Sequence, residues 1–249
     1  MDRLPVRIFS TLTDLAAAAA EDAATVLLAA IAANGRARAI IATGNSQDEF
    51  LGRLTQWAGI DWSRIELFHM DEYLGMPMTH PASFRRYLKQ RVFDRVHPGA
   101  AHYLEGDALE PLKAMRDYAA QLAAAPVELC CLGIGENGHL AFNDPPVADF
   151  DDPRGVKIVA LEPASRRQQV GEGHFATIDE VPTHAITVTI PALLRADRVL
   201  VFVPEARKAQ SVRDALYGPI SSTCPASILR RQTNATLYLD AESSTLLES

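Results

Sequence analysis

Short apolar runs recur along this chain, each followed by a stretch with helical spacing, and that alternation restricts the fold more than any other feature. Runs at 37–42, 64–68, 127–132, 185–190, 198–203 and 235–239 read as strands, because each is brief, apolar and bounded by turn residues. Between them lie helical patterns. Ser10 to Asp14 opens a long alanine-rich helix with Leu12, Leu15, Val26, Leu27 and Ile31 available for a core face, and Asn34-Gly35 ends it. Segments 48–58, 83–96, 109–124 and 205–217 also read as helices; Phe50, Leu51, Leu54 and Trp57 keep the 3.6-residue spacing in the first of them. Strands separated by helices predict an α/β fold: a single domain over residues 1–249, Rossmann-like, with a mostly parallel sheet covered by helices on both faces. In such a sheet ligands bind just beyond the carboxyl ends of the strands, so the residues after each run are the ones to inspect.

Composition removes several function classes. The 249 residues carry a net charge of -7, which gives no global basic field, so nucleic-acid or anionic-membrane partners are not expected. The alanine-rich stretch 15–33 is interrupted by Glu21 and Asp22, preceded by Asp14, and has no basic region before it; it is expected neither to span a membrane nor to be a signal segment. Cys130, Cys131 and Cys224 are too few for a disulfide framework and lack the spacing of a zinc site. Cys130 and Cys131, adjacent in an apolar run, read as buried thiols, and a reducing cytoplasm fits. The segments 144–155 and 171–180 are polar enough to be loops or lids.

Four strand ends carry residues with chemistry. Thr43-Gly44-Asn45-Ser46 precedes a helix and offers backbone N–H groups, a hydroxyl and a positive helix end, which suit a phosphate; a glycine in such a turn is also ordinary. At Asp71-Glu72-Tyr73 two adjacent carboxylates alternate sides of an extended chain, so one of the two faces a pocket as a candidate general base, or both belong to a solvated turn. Gly133-Ile134-Gly135-Glu136-Asn137-Gly138-His139 follows a buried strand and surrounds one imidazole with glycines, aiming a group that titrates near neutral pH. Arg207-Lys208 follows the run at 198–203, where a cation can complete an anion site.

Together these pieces resemble the glucosamine-6-phosphate deaminase and 6-phosphogluconolactonase superfamily, and more closely its deaminase branch. The matching stretches are Ala42-Thr43-Gly44, Met70-Asp71-Glu72-Tyr73 with His80-Pro81-Ala82-Ser83, the run from Gly133 to Pro145, Val181-Pro182 with Ala185-Ile186-Thr187-Val188, and Lys208-Ala209. They lie in order between about residue 36 and residue 240. Gly138-His139-Leu140-Ala141-Phe142-Asn143-Asp144-Pro145 is the specific part, since the lactonase branch continues differently after Gly-His and lacks Asp-Glu-Tyr. The resemblance implies a cofactor-free and metal-free conversion of a hexosamine 6-phosphate, glucosamine 6-phosphate by default, to a ketose 6-phosphate and ammonia. It implies His139 as the ring-opening acid and base, and Asp71 as the base that moves the C2 proton to C1. The phosphate is expected on Gly44, Asn45, Ser46, Lys208 and an arginine, Arg166 or else Arg167; Glu72 and Gly138 are further expected substrate contacts. A homo-oligomer is left open.

Two positions depart from the deaminase pattern. Asn137 stands where that branch has Asp, and Asp144 where it has Glu. Both flank His139 and are expected to orient it. An amide brings no charge, so its support for an imidazolium is expected to be about 1–3 kcal/mol weaker in a dry site. This keeps galactosamine 6-phosphate, or an isomerase that retains the nitrogen, among the possible activities. A sugar-phosphate lactonase is the enzymatic alternative, and a non-catalytic sugar-phosphate sensor is the alternative outside enzymes. A metal site from His69, Asp71 and His139 is the least favoured reading.

Overall fold

The computed structural model describes residues 4–247. The chain runs β1 (Val6–Phe9), α1 (Leu12–Asn34), β2 (Ala37–Ile41), α2 (Asp48–Leu54), β3 (Ile65–His69), β4 (Asp71–Tyr73) and α3 (Phe84–Leu88). A π-helical turn (Lys89–Phe93) leads into α4 (Asp94–Val96), then β5 (Ala100–His102), α5 (Pro111–Ala123), β6 (Leu129–Leu132), β7 (Val156–Ala160) and α6 (Pro163–Gly171). The last elements are β8 (His184–Val188), α7 (Ile190–Leu194), β9 (Arg198–Val203), α8 (Ala209–Tyr217) and β10 (Ala235–Asp240).

Seven strands form one sheet in the order β1-β10-β9-β6-β2-β3-β5, every pair parallel. Its strands are apolar on both sides because both faces are covered. Ile40, Cys130 and Val201 point into one core with Tyr118 of α5 and Val212 of α8. Their neighbours Ile41, Cys131 and Phe202 point into the other, against α1 and α2. The alanines of α1 explain its composition: Ala16, Ala19, Ala20, Ala23 and Ala24 are fully buried and let the helix lie close on the sheet. Thr11 caps its start by accepting from the Asp14 N–H, and Gly35, at φ +73°, closes its end. This helix is long and apolar enough to cross a bilayer, with a mean hydropathy of 1.7, yet its apolar face is spent on the core.

The chain leaves β2 for β3 on one side and returns with β6 on the other, so the strand order reverses between β2 and β6. A crevice opens there at the carboxyl ends, as expected of such sheets.

The run at 185–190 is corrected by the structure. As β8 it belongs not to the parallel sheet but to a second, antiparallel one in the order β4-β8-β7. The reason is local: Met70 ends the main sheet, its carbonyl accepts from the Val188 N–H at 2.7 Å, and Asp71 pairs with Thr187. An aromatic group of Tyr73, Phe84, Phe142 and Phe175 packs beside this small sheet and holds β4 in place.

Candidate active site

Four strand ends, those of β9, β6, β2 and β3, are neighbours in the main sheet, and the residues that follow them line one cleft. After β2 come Thr43, Gly44 and Ser46; after β3, Met70 and Asp71; after β6, Gly133, Gly135 and His139; after β9, Lys208. Gln168, Gln169 and Glu172, at the end of α6 and just past it, close the remaining side.

The turn after β2 depends on Gly44, whose φ of +113° and ψ of 156° lie outside the range of residues with a Cβ. Its carbonyl accepts from the Tyr87 hydroxyl at 2.9 Å, which pins the turn from behind. Gln47 is buried at the floor, its Nε2 donating to the Phe202 carbonyl at 3.3 Å.

Asp71 is buried at the cleft wall with its Oδ1 lacking any partner among the described residues. Burial, and then the neighbouring charge of Glu72, push its carboxyl well above the usual range. Glu72 itself does not reach the cleft, which corrects its expected contact with substrate. Its Oε1 accepts from the Tyr73 and Phe84 N–H groups, and its Oε2 from the Ser83 hydroxyl at 2.7 Å and from the N–H and Nε of Arg85. It is thus a buried anchor for the start of α3. His80-Pro81-Ala82-Ser83 makes the turn that leads there, His80 Nδ1 accepting from the Ala82 N–H at 3.1 Å.

His139 is held from one side. Its Nδ1 lies 2.8 Å from Asn137 Oδ1, 3.0 Å from Asp144 Oδ1 and 3.2 Å from the Ser165 hydroxyl, while Nε2 has no partner among the described residues. The ring rests on Gly135, where any Cβ would collide with it. Asp144 is fully buried, and burial alone would raise its pKa. Hydrogen bonds from His139, Asn137 and Ser165 outweigh that and hold it below the usual carboxylate range. Asn137 and Asp144 therefore stand behind His139 rather than in the cleft.

Lys208 is 4% exposed and makes no ion pair among the described residues; the carboxylates that act on its charge, Glu136, Glu172 and Glu205, are bound to Arg207 at 3.1, 2.7 and 2.5 Å. Burial and the adjacent Arg207 charge lower its pKa to about 8. Glu172 is ionised there: burial opposes its charge, but donors on His174, Arg207 and Gln168 bring its pKa down to about 2.

Several expected contacts lie elsewhere. Arg166 donates to the Ile178 and Val181 carbonyls, at 2.5 and 2.9 Å, and so braces the segment after α6 rather than facing the cleft. Arg167 lines a separate groove with Glu136 and Asn137. Asn45 donates to the Glu172 carbonyl at 3.2 Å on the lip. Gly138 turns the loop at φ +83° against Cys224. His69 is buried, accepts from the Leu104 N–H at 2.6 Å, and is kept neutral by burial and by Arg85, its pKa lowered to about 3. Gln47, Gln168, Gln169 and Glu172 went unread in the sequence; the i, i+4 pair Gln168 and Glu172 on a helix opened by Pro163 was the available signal.

The model for glucosamine-6-phosphate isomerases/6-phosphogluconolactonase matches residues 10–238. A glucosamine-6-phosphate deaminase of Exiguobacterium sibiricum is 31% identical over 209 residues, which is 83% of this chain and 80% of that protein. A solved structure described as a monomeric glucosamine-6-phosphate deaminase superposes with a TM-score of 0.89 at 27% identity, over 98% of this chain and 100% of that one. A 6-phosphogluconolactonase from Shewanella baltica superposes with a TM-score of 0.78 at 19% identity, over 96% of this chain and 98% of that one, a likeness of fold.

Proposed function

This chain belongs to the glucosamine-6-phosphate isomerase/6-phosphogluconolactonase family, and from that premise we propose that it is a glucosamine-6-phosphate deaminase, acting as one domain and using Asp71, His139 and Lys208. The observation that carries this reading is the position of Asp71: a buried carboxyl, one oxygen of which has no partner among the described residues, in the same cleft as an imidazole with one nitrogen and a buried ammonium likewise without partners. A lactonase has no need of a base at C2. The curated relative in Exiguobacterium sibiricum bears the name of the deaminase, and the lactonase likeness is one of fold.

The phosphate sits on Lys208 and the N–H groups of the turn at Gly44 and Ser46, so one local cation serves an anionic substrate in a chain of net charge -7. His139 Nε2 takes the proton of the anomeric hydroxyl and delivers it to the ring oxygen, opening the sugar; Asn137 and Asp144 stabilise the imidazolium formed in between. Asp71 then removes the C2 proton and returns it to C1 through an enolamine. A carboxyl raised toward neutrality suits both halves, as base when ionised and as acid once loaded. The C2 ammonium of the substrate, placed beside it, favours the ionised form. Water completes the reaction, releasing ammonia and fructose 6-phosphate.

The three free thiols fit a cytoplasmic setting.

Product analysis with glucosamine 6-phosphate, galactosamine 6-phosphate and 6-phosphogluconolactone, each without added cofactor, tests the reading. Ammonia from glucosamine 6-phosphate, abolished by Asp71→Asn, supports it. Lactone hydrolysis that survives Asp71→Asn selects the lactonase, and tight sugar-phosphate binding without turnover selects a sensor.

A further inference from the structure

Asn137 is boxed in by acceptors. Its Nδ2 donates to Asp144 Oδ1 at 3.0 Å and to Glu162 Oε2 at 2.8 Å, while its Oδ1 accepts from the His139 backbone N–H at 3.1 Å and lies 2.8 Å from His139 Nδ1. With carboxylate oxygens on both N–H bonds the amide stands one way, carbonyl toward the ring, so Nδ1 carries the hydrogen and Nε2 is left open toward the cleft.

Asp144 does not account for this alone. Its Oδ1 already accepts from Ser165 and faces His139, and its Oδ2 is buried without a partner among the described residues. Glu162 is the remaining acceptor. It occupies the N-cap of α6 but makes no side-chain cap there; its carboxylate goes to Asn137.

We propose that Glu162 is a positioning residue for His139, acting through Asn137 and supplying the negative charge that an acid at position 137 would bring. This rests on the reading of His139 as the acid-base group. It also accounts for the amide: an acid at 137 would place a third carboxylate within about 3 Å of both Asp144 and Glu162. An amide between two carboxylates joins them to the imidazole with every short contact attractive.

The test is a double-mutant cycle over Glu162→Gln, Asn137→Asp and the two combined. Glu162→Gln is expected to lower kcat about tenfold at unchanged KM, Asn137→Asp to lower it further, and the double variant to recover to within about threefold of the wild type. A merely structural Glu162 would not be compensated by a new carboxylate at 137. Glu162→Gln within twofold of wild type, or a double variant no faster than the slower single one, overturns the proposal.

Nitrogen-15 spectra of the His139 ring in the free protein give a second reading, independent of turnover. Protonation on Nδ1 in the wild type, mixed tautomers in Glu162→Gln and a restored Nδ1–H in the double variant are expected; a ring unchanged by Glu162→Gln overturns it. If the wild type releases no ammonia from any hexosamine phosphate, the deaminase reading fails and these spectra alone decide the role of Glu162.

Discussion

Asp71 and Asp144 carry the same side chain, are both buried, and both belong to the polar cluster at the end of the sheet. Asp71 has an oxygen with no donor and a second acid next to it in sequence, and its carboxyl is raised. Asp144 has donors from three residues, one of them the imidazole, and its carboxyl is lowered. Burial raises both, so the surroundings decide the outcome: Asp71 has an acid beside it and no donor on one oxygen, whereas Asp144 has three donors, one of them also a positive charge when protonated. The difference separates two tasks within one site: a group that must exchange a proton is left without donors, and a group that must stay charged is surrounded by them.

Replacing Asp71 should break the comparison most. Asp71→Asn keeps the shape and removes the base, and turnover is expected to fall by about 10²–10⁴-fold. The same change should stabilise the fold at neutral pH. With a folded pKa above the unfolded one, Asp71 binds more protons in the folded state, so its contribution is full below the unfolded pKa and is lost as pH rises toward the folded one. Asparagine has no such loss. The gain should grow with pH, at about 1.4 kcal/mol for each unit by which Asp71 is raised, and vanish below roughly pH 4. Urea unfolding at acid and neutral pH reads it; equal stability of the two proteins at both would show that Asp71 is not raised.

Asp144→Asn has the opposite stability sign. A lowered folded pKa gives stability above the unfolded value that is lost as pH falls through the folded one. The variant should therefore be less stable than wild type at neutral pH, with the deficit shrinking in acid. Loss of a charged partner for the imidazolium, about 1.5–3 kcal/mol, is expected to lower kcat about 10–100-fold with little change in KM. A rise in KM alone would place Asp144 in substrate binding instead.

Lys208 extends the contrast to a cation. Burial, then Arg207, favours its neutral form, so the free protein should lose affinity for a sugar phosphate above about pH 8. KM is expected to rise up to about tenfold per pH unit beyond that point, the slope of a single proton. Lys208→Met should flatten the profile while raising KM throughout. A KM independent of pH between 7 and about 10, where an ordinary lysine titrates, would remove Lys208 from the phosphate site.

The main sheet was legible because its strands are apolar on both sides and its long helices keep their period. β9, at Arg198–Val203, lies where the pattern puts it. Part of what the pattern missed had little burial to reveal it, although β7, at Val156–Ala160, is largely buried and was also missed. β1 is an edge strand whose Ile8 is 55% exposed, β5 is three residues long, and α6 has too few apolar side chains for a face. In the cleft the alternation of sides along β4 correctly implied that Asp71 and Glu72 would part company, but not which one the cleft would take. That choice lies in the turn ahead of α3, where Ser83, Phe84 and Arg85 claim Glu72. Arg166 misled for the same reason: a cation near a motif carries no direction, and its guanidinium found backbone carbonyls first.

Ser165→Ala is the smallest change that sharpens the comparison, since it makes Asp144 slightly more like Asp71. The hydroxyl donates to Asp144 Oδ1 and lies 3.2 Å from His139 Nδ1. Its loss removes one of the donors that oppose burial, so the Asp144 carboxyl should move up while the His139 and Asn137 bonds keep it ionised at neutral pH. Stability at neutral pH should drop by about 0.5–1.5 kcal/mol, the net worth of one hydrogen bond, and the remaining contribution of Asp144 should be lost at a higher pH on acidification than in wild type. Turnover should fall only a few-fold, because the imidazolium keeps its charged partner. Acid-unfolding midpoints beside kcat at pH 7 separate the cases. An unchanged midpoint means that Ser165 does not hold Asp144, and a loss of kcat as large as that of Asp144→Asn would assign the hydroxyl to proton transfer, not to the support of a carboxylate.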